Sequence, residues 1–324
     1  MDIYVKKAII HQFSPDDTDL YLADKFLNIT PKIEEYLRKK IERVYSDEAR
    51  TGIFEEDNPF LEMISDDLLE TSVVVANRWK EEFVVSENQK TNDLVFIQFS
   101  KEGVDHFAFL RIALRETLTH LGGEVDNPIK LTQNNLPGFG TGADEALVIN
   151  LQSRKYHLIE KRIKYNGTFL NYFSENLLQA QPKISPKKSI KALEKTALKI
   201  AESFNTDDFQ FQSKVKSAIF NHIEEENKLS PEKLADDLFD DNLTARLSFI
   251  DQVKEAVPEP VTFEEIDASR QLKKFENQKL SLSNGIELIV PNNVYEDAES
   301  VEFILNENGT YSILIKNIED IQSK

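Results

Sequence analysis

Cysteine is absent from all 324 residues of the chain, and its absence excludes several kinds of chemistry. Without a thiol group the chain has no cysteine nucleophile, no cysteine-ligated zinc site and no disulfide bond. No apolar run reaches the ~18–20 residues that cross a bilayer, and the residues that follow Asp2 lack the pattern of a signal peptide. We therefore expect a cytoplasmic protein that is not inserted in a membrane.

Catalytic patterns are also scarce. The five histidines are scattered, with no HExxH motif, and no serine lies in a nucleophile-elbow context. Adjacent aspartates such as Asp236 and Asp237 are able to bind Mg²⁺, but a chain with 57 acidic residues contains such pairs by chance. We therefore predict a protein without enzymatic activity, without a metal site and without a cofactor.

The segment Gly138-Phe139-Gly140-Thr141-Gly142 has the glycine content of a phosphate-binding loop. It lacks the lysine of a P-loop, and the residues after it have the pattern of a strand, whereas phosphate-binding loops lead into a helix. We expect a flexible connection here and not a nucleotide site.

Charge is distributed very unevenly along the chain. The net charge is −18, but the stretch 152–200 holds eleven basic and three acidic residues and so carries +8, which leaves −26 for the rest. Such asymmetry indicates that the basic stretch meets a polyanion or an acidic protein surface. Its basic residues are our candidate nucleic-acid-binding residues: Arg154, Lys155, Lys161, Arg162, Lys164, Lys183, Lys187, Lys188, Lys191, Lys195 and Lys199.

The second half of the basic stretch has the pattern of a helix. Ser185 is a suitable N-cap and Pro186 a suitable first residue, and apolar residues then recur every three to four positions from Ile190 to Phe204. Two interpretations of its lysines stay open: cations that follow a phosphate backbone, or a solvated helix face that pairs with acidic neighbours. Four of them, at four-residue steps, form what we call the lysine row: Lys187, Lys191, Lys195 and Lys199.

The first half of the basic stretch interleaves cations with aromatic residues. Surfaces that bind nucleic acid combine cations, which contact phosphates, with aromatic rings, which stack on bases. The rings of Tyr156, Tyr165 and Phe169 are equally suited to a protein core or to a sheet edge. The pattern alone therefore does not decide between binding and packing.

The length and the composition predict two globular domains. Domains usually have ~100–200 residues, and 40% of this chain is hydrophobic, enough to bury a sizeable core. We place the domain boundary in the proline-containing segment 179–189. The predicted domains are 1–180 and 181–324.

Residues 1–180 are predicted to form an antiparallel sheet with flanking helices on one side, an α+β arrangement. Helices are indicated after Thr30 and Asn58, and a further helix places Trp79 in the core. Residues 122–142 are predicted to be a loop. Before this loop, Leu110, Ile112, Leu114 and Leu118 alternate toward one face of a predicted hairpin, and a helix is the alternative for the latter half of that segment. Strands are indicated at 2–13, around the turn 101–103, and in the segments ADEALVINLQ and KYHLIEKRI.

Residues 181–324 are predicted to be mainly helical and to end in a small antiparallel sheet. Further helices are predicted to start near Asp208, Ser230, Asn242 and Thr262. Strands at 286–290, 301–306 and 310–316 follow, the last two joined by a tight turn at Asn308-Gly309. On the buried face of this last hairpin we expect Val301, Phe303, Ile313 and Ile315.

Several segments, taken in order, carry a family resemblance: IYVKKAIIHQF, ERVYSDEARTGIF, LVFIQFS, ADEALVINLQ, YHLIEKRIKYNGTFLNYFSENLL and SVEFILNENGTYSILIKNI. In their order and spacing the chain resembles the bacterial nucleoid-associated protein family of the NdpA/YejK type. The resemblance implies a cytoplasmic protein located on the bacterial nucleoid, without an assigned reaction. It supplies no residue-level DNA site.

Two functions are open at this point. In the first, the basic residues contact DNA directly, weakly and without sequence preference, because no helix-turn-helix or zinc-finger pattern is present. In the second, the protein is an adaptor that reaches the nucleoid by binding a DNA-acting protein such as a topoisomerase, whose basic surface meets its acidic faces. Neither function fixes the oligomeric state, and a homo-oligomer is compatible with both.

Overall fold

The structure, a computed structural model, describes residues 2–15, 19–83, 90–120, 129–206, 208–263 and 265–322. The chain divides into two compact units, Met1–Ser185 and Pro186–Lys324. The predicted α+β class is confirmed, with a large antiparallel sheet in the first unit and helices with small sheets in the second.

The first unit contains most of the strands. Its helices are α1 (Pro31–Glu42), α2 (Pro59–Glu62), α3 (Leu68–Phe83) and a π-helical segment (Phe173–Leu177). Its strands are β1 (Ile3–Ser14), β2 (Asp19–Tyr21), β3 (Arg50–Ile53), β4 (Asn92–Lys101), β5 (Val104–Ala113), β6 (Arg115–His120), β7 (Ile129–Asn135), β8 (Glu145–Asn150), β9 (Lys155–Ile159), β10 (Ile163–Tyr165) and β11 (Thr168–Leu170).

Seven strands form one antiparallel sheet in the order β2-β1-β4-β5-β8-β9-β3. One face packs around Trp79 of α3, and the other face packs on Leu37 and Ile41 of α1. The prediction of helices on one side of the sheet is therefore wrong, because both faces are covered. The nearly continuous apolar run of β4 is the sequence signal for burial on both faces.

Helix starts follow local capping chemistry. The Thr30 hydroxyl accepts a hydrogen bond from the backbone N–H of Ile33 at 3.4 Å, and a proline follows each cap at the starts of α1 and α2. The Asn58 side chain accepts one from the N–H of Phe60 at 2.9 Å. These caps satisfy N–H groups that have no partner inside the helix, so the predicted starts are confirmed.

Two predictions for the region after β5 are wrong. Leu118 is not buried on a common face with Leu110 and Ile112, since 73% of its surface is exposed on β6. The predicted loop 122–142 contains β7, which pairs with β6, while residues 121–128 lie outside the described part of the chain. An alternating apolar pattern marks a strand but does not tell whether another layer covers it.

The imidazole of His11 is fully buried beside α3. Its Nδ1 accepts a hydrogen bond from the N–H of Ala23 at 3.0 Å, and its Nε2 lies 2.9 Å from the Ser72 hydroxyl, which donates to Leu69. This arrangement fits the neutral ring with its proton on Nε2. Burial lowers the pKa of His11 from 6.5 to about 4.

We expect an acid-dependent loss of stability from His11. Since its folded-state pKa lies below the unfolded value, its contribution is complete above pH 6.5 and is lost as pH falls toward 4, by about 3 kcal/mol in all. Urea unfolding at several pH values checks this. His11→Gln should remove that part of the pH dependence, whereas His120→Gln, at an exposed position, should leave it intact. Equal pH dependence in the parent and His11→Gln would contradict the assignment.

The second unit is mainly helical. Its helices are α4 (Pro186–Ser203), α5 (Phe209–Glu226), α6 (Pro231–Leu238), α7 (Leu243–Lys254), α8 (Ser269–Phe275) and α9 (Asn292–Tyr295). Its strands are β12 (Lys228–Leu229), β13 (Val261–Thr262), β14 (Asn277–Ser281), β15 (Glu287–Pro291), β16 (Val301–Leu305) and β17 (Tyr311–Ile315). The described strands pair as three antiparallel sheets of two strands each, β12 with β13, β14 with β15 and β16 with β17.

Helices α4 to α8 enclose the core of the second unit, which includes Leu193, Ile219 and Phe249. The helix predicted to start at Thr262 is wrong: this residue pairs with Lys228 in β12, and the next helix begins at Ser269. Tertiary strand pairing overrides the local capping signal at Thr262.

The C-terminal hairpin lies at the margin of this core. Val301 is buried, and Phe303 packs against Phe209 with ring centroids 5.2 Å apart. Ile315, however, is 48% exposed, so its predicted place on the buried face is wrong. Phe209 also contacts the ring of Tyr311 at 5.3 Å, whereas Leu305 and Leu314 are exposed.

Candidate nucleic-acid interface

The structure distributes the eleven candidate residues over both units. Five lie on α4 in the second unit, and all five side chains are exposed. The other six belong to the first unit. They are Arg154, Lys155, Lys161, Arg162, Lys164 and Lys183.

Helix α4 separates its apolar and cationic sides as predicted. Ile190, Leu193 and Ala197 are buried in the core of the unit, and the lysine row runs along the exposed side. At a rise of about 1.5 Å per residue, the row extends over about 18 Å of helix axis. The exposed cations therefore form a linear feature and not a compact patch.

Acidic neighbours do not neutralise the centre of the row. The Glu194 carboxylate lies 3.6 Å from Lys274 on α8, and the Lys199 ammonium donates to the neutral amide of Gln252 at 3.3 Å. Neither Lys191 nor Lys195 forms an ion pair with any residue that the structure describes. The interpretation of the row as a face paired with acidic neighbours is thus not supported at these two positions.

The charges of α4 also run against its dipole. The N-terminus of a helix carries partial positive charge, and acidic residues are stabilising there. Helix α1 follows this rule with Glu34 in its first turn, whereas α4 has no acidic residue there and instead begins with Lys187 and Lys188. The arrangement is unfavourable for the isolated helix, and it increases the positive potential available to an anion.

Two cations of the first unit have acidic partners. The Arg154 guanidinium lies 2.9 Å from Glu56, and the Lys161 ammonium lies 2.6 Å from Asp144. Exposed ion pairs of this kind contribute at most about 1 kcal/mol and exchange readily with other anions. These two residues are nevertheless weaker candidates than the lysines of α4.

The aromatic residues of the basic stretch have different environments. Tyr156 is buried in the core, with its ring 4.4 Å from that of Phe54. Phe169, by contrast, is 61% exposed on the hairpin of β10 and β11, directly opposite Lys164. A tight turn with positive φ at Asn166 and Gly167 joins the two strands. The structure therefore presents an aromatic ring beside a cation here, and assigns Tyr156 to packing.

The glycine-rich segment directs backbone carbonyl oxygens toward a lysine side chain. The buried ammonium of Lys40 donates hydrogen bonds to the carbonyl oxygens of Pro137, Gly138 and Thr141, the second at 2.9 Å. A phosphate-binding loop presents N–H groups, whereas this loop turns carbonyl groups toward a lysine. Burial lowers the pKa of Lys40 to about 8, so it remains mostly protonated at neutral pH.

The adjacent aspartates are engaged in surface contacts. Asp236 lies 3.0 Å from Arg246, and Asp237 lies 2.6 Å from Nε2 of His222. In the described ranges, no cluster of three or more histidine, aspartate or glutamate side chains is arranged to hold a metal ion. None of the helices in these ranges combines the length and the apolar sequence of a transmembrane span.

These features define an α+β protein of two units with a cationic helix on a strongly acidic chain. Over residues 9–321 it matches the family described as nucleoid-associated protein YejK. The chain belongs to this family, because the match covers nearly its whole length, and the predicted resemblance is confirmed. No individual curated protein matches the chain. Family membership associates the protein with the bacterial nucleoid.

Proposed function

We propose that this nucleoid-associated protein contacts DNA directly through the lysine row of α4, weakly and without sequence preference. The observation that carries the proposal is the exposure of all four lysines along one side of a helix whose other side is buried. Each ammonium is a flexible point charge that binds a phosphate without reading a base. The expected contact is therefore with the DNA backbone.

The net charge of −18 does not exclude such a contact. At physiological ionic strength the Debye length is about 8 Å, so acidic residues further from the DNA are largely screened. The lysines of the row contact phosphates directly, at distances shorter than the Debye length, so their attraction to DNA is less screened. The acidic residues outside the basic stretch still repel DNA and limit the affinity, which is why we propose weak binding.

We further propose that the protein catalyses no reaction and acts at the nucleoid in the cytoplasm. Its adjacent aspartates have surface partners and its glycine-rich loop holds a lysine, so neither feature supports hydrolysis or nucleotide binding. The proposal would be overturned by turnover of a phosphodiester or nucleotide substrate that disappears in Asp236→Ala/Asp237→Ala.

A charge-matched pair of variants tests DNA contact. In the first, all four residues of the lysine row are changed to Ala. In the control, four exposed lysines elsewhere on the same unit are changed to Ala, so both variants lose the same charge. The control positions are Lys228, Lys254, Lys273 and Lys279.

Binding to a short mixed-sequence duplex at low salt is measured by fluorescence anisotropy. We expect the row variant to bind at least about tenfold more weakly than the parent. Each lysine that contacts a phosphate releases counterions from DNA, and this release, which favours binding, is lost with the lysine. The control should stay within about twofold to threefold, because its lysines lie outside the contact. Equal losses in both variants would show a nonspecific charge effect and contradict a site on α4.

A further inference from the structure

The hairpin of β16 and β17 pairs with no other strand in the described ranges, so the outer backbone edge of β17 is open. Beyond its ends, the N–H of Lys316 donates to the carbonyl of Ser300 at 2.9 Å, and the N–H of Asn306 donates to Thr310 at 2.8 Å. In an antiparallel ladder, hydrogen-bonded and non-hydrogen-bonded pairs alternate. The outward-pointing residues of β17 are therefore Tyr311, Ile313 and Ile315.

These three N–H groups have no hydrogen-bond acceptor within the described ranges. A free row of N–H and C=O groups is a template for another strand. Natural proteins prevent unwanted pairing at such edges with a lysine, a proline or a bulge inside the strand. The sequence of β17, YSILI, has neither residue, and its register with β16 has no bulge.

The side chains along this edge are apolar and exposed. Both faces of β17 contribute, since Leu314 points away from Tyr311 and Ile315, and each of the three is exposed. Ile318 and Ile321 continue the apolar surface beyond the strand, and both are exposed as well. Contiguous exposed apolar residues beside an open edge mark an interaction site.

The charge around the edge selects the kind of partner. Residues 296–322 contain seven acidic residues and one basic residue, Lys316, whose ammonium lies 2.6 Å from Glu302. The segment thus carries −6, so a second copy of this chain would bring like charges together. A partner rich in lysine or arginine complements the edge instead.

We propose that β17 is a docking edge for a strand-forming, basic segment of another protein. The partner's backbone pairs with Tyr311, Ile313 and Ile315, its apolar side chains pack beside Leu314 and its cations meet the acidic surroundings. This mode is β-augmentation, in which backbone pairing supplies affinity and alternating side chains supply specificity. The site is separate from the lysine row and does not depend on DNA binding.

The test uses the full chain and a fluorescein-labelled synthetic peptide that alternates lysine with valine. We expect it to bind, to bind more weakly as salt rises, and to slow amide hydrogen exchange at Tyr311, Ile313 and Ile315. A peptide of the same charge with proline at alternate positions should bind at least about tenfold more weakly, because proline cannot form the ladder. Ala substitution of the lysine row should leave peptide binding unchanged.

Two variants of the protein sharpen the test. Ile315→Pro removes one outward N–H and should weaken peptide binding at least about tenfold, since outward positions of edge strands tolerate proline. Reversal of charge by Glu319→Lys/Asp320→Lys leaves the strand intact and should also weaken binding. Equal affinity for both peptides would overturn the proposal. So would concentration-dependent exchange protection of the three amides without peptide, which would identify a second copy as the occupant.

Discussion

Replacing Glu145 with alanine should destabilise the first unit by about 3–5 kcal/mol. Glu145 is completely buried, and its Oε2 lies 2.6 Å from Nε of Arg111, which is also buried. The same carboxylate accepts a hydrogen bond from the Tyr172 hydroxyl, which in turn accepts one from the indole N–H of Trp79 at 3.0 Å. Removing the carboxylate leaves the Arg111 guanidinium in a low-dielectric environment without its counter-charge.

The large effect depends on burial and not on the ion pair as such. An exposed pair in the second unit, Lys214 and Asp240 at 3.0 Å, provides the contrast. Asp240→Ala should cost far less than Glu145→Ala, because water solvates the remaining lysine. Urea unfolding of both variants measures the difference in the free energy of unfolding. A loss below about 1 kcal/mol for Glu145→Ala would contradict the role of the buried pair.

The second large effect concerns the salt dependence of DNA binding. If each residue of the lysine row neutralises one phosphate, the slope of log affinity against log salt is about −0.9 per contact, near −4 in all. Affinity should then fall about a hundredfold between roughly 50 and 200 mM salt. The variant with four Ala substitutions should lose most of this salt dependence. Its affinity should fall by a similar factor for every DNA sequence.

The fold of that variant is expected to survive. The row lysines flank the buried face of α4, which consists of residues such as Ile190 and Leu193, and do not form it. Circular dichroism and an unchanged urea midpoint check this point. If the parent already lacks a salt dependence, or if the variant retains it, direct phosphate contact by α4 is wrong and the adaptor function is favoured.

Local chemistry explains which parts of the fold the sequence predicts. The starts of α5 at Asp208, α6 at Ser230 and α7 at Asn242 follow from side-chain caps, which the structure shows as hydrogen bonds to backbone N–H groups. The exposed row on α4 follows from a 3.6-residue period, which fixes which side chains share a face. Neither inference needs information from distant parts of the chain.

The features that the sequence does not reveal depend on distant partners. Glu145 and Arg111 are 34 positions apart, and no local pattern marks a buried pair among so many charged residues. The pairing of Glu194 with Lys274, which leaves the row without its nearest acidic neighbour, has no sequence signal either. Tertiary contacts likewise decide that Ile315 stays exposed although its alternating pattern resembles a buried strand.

Lysine acetylation read by mass spectrometry tests the central claim most directly, because it reports each side chain separately in the unaltered protein. The four lysines of the row should react more slowly when a short duplex is present. The exposed lysines Lys228, Lys254, Lys273 and Lys279 should react at the same rate with and without DNA. Unchanged reactivity of the row under conditions where the protein binds the duplex would contradict a DNA contact on α4.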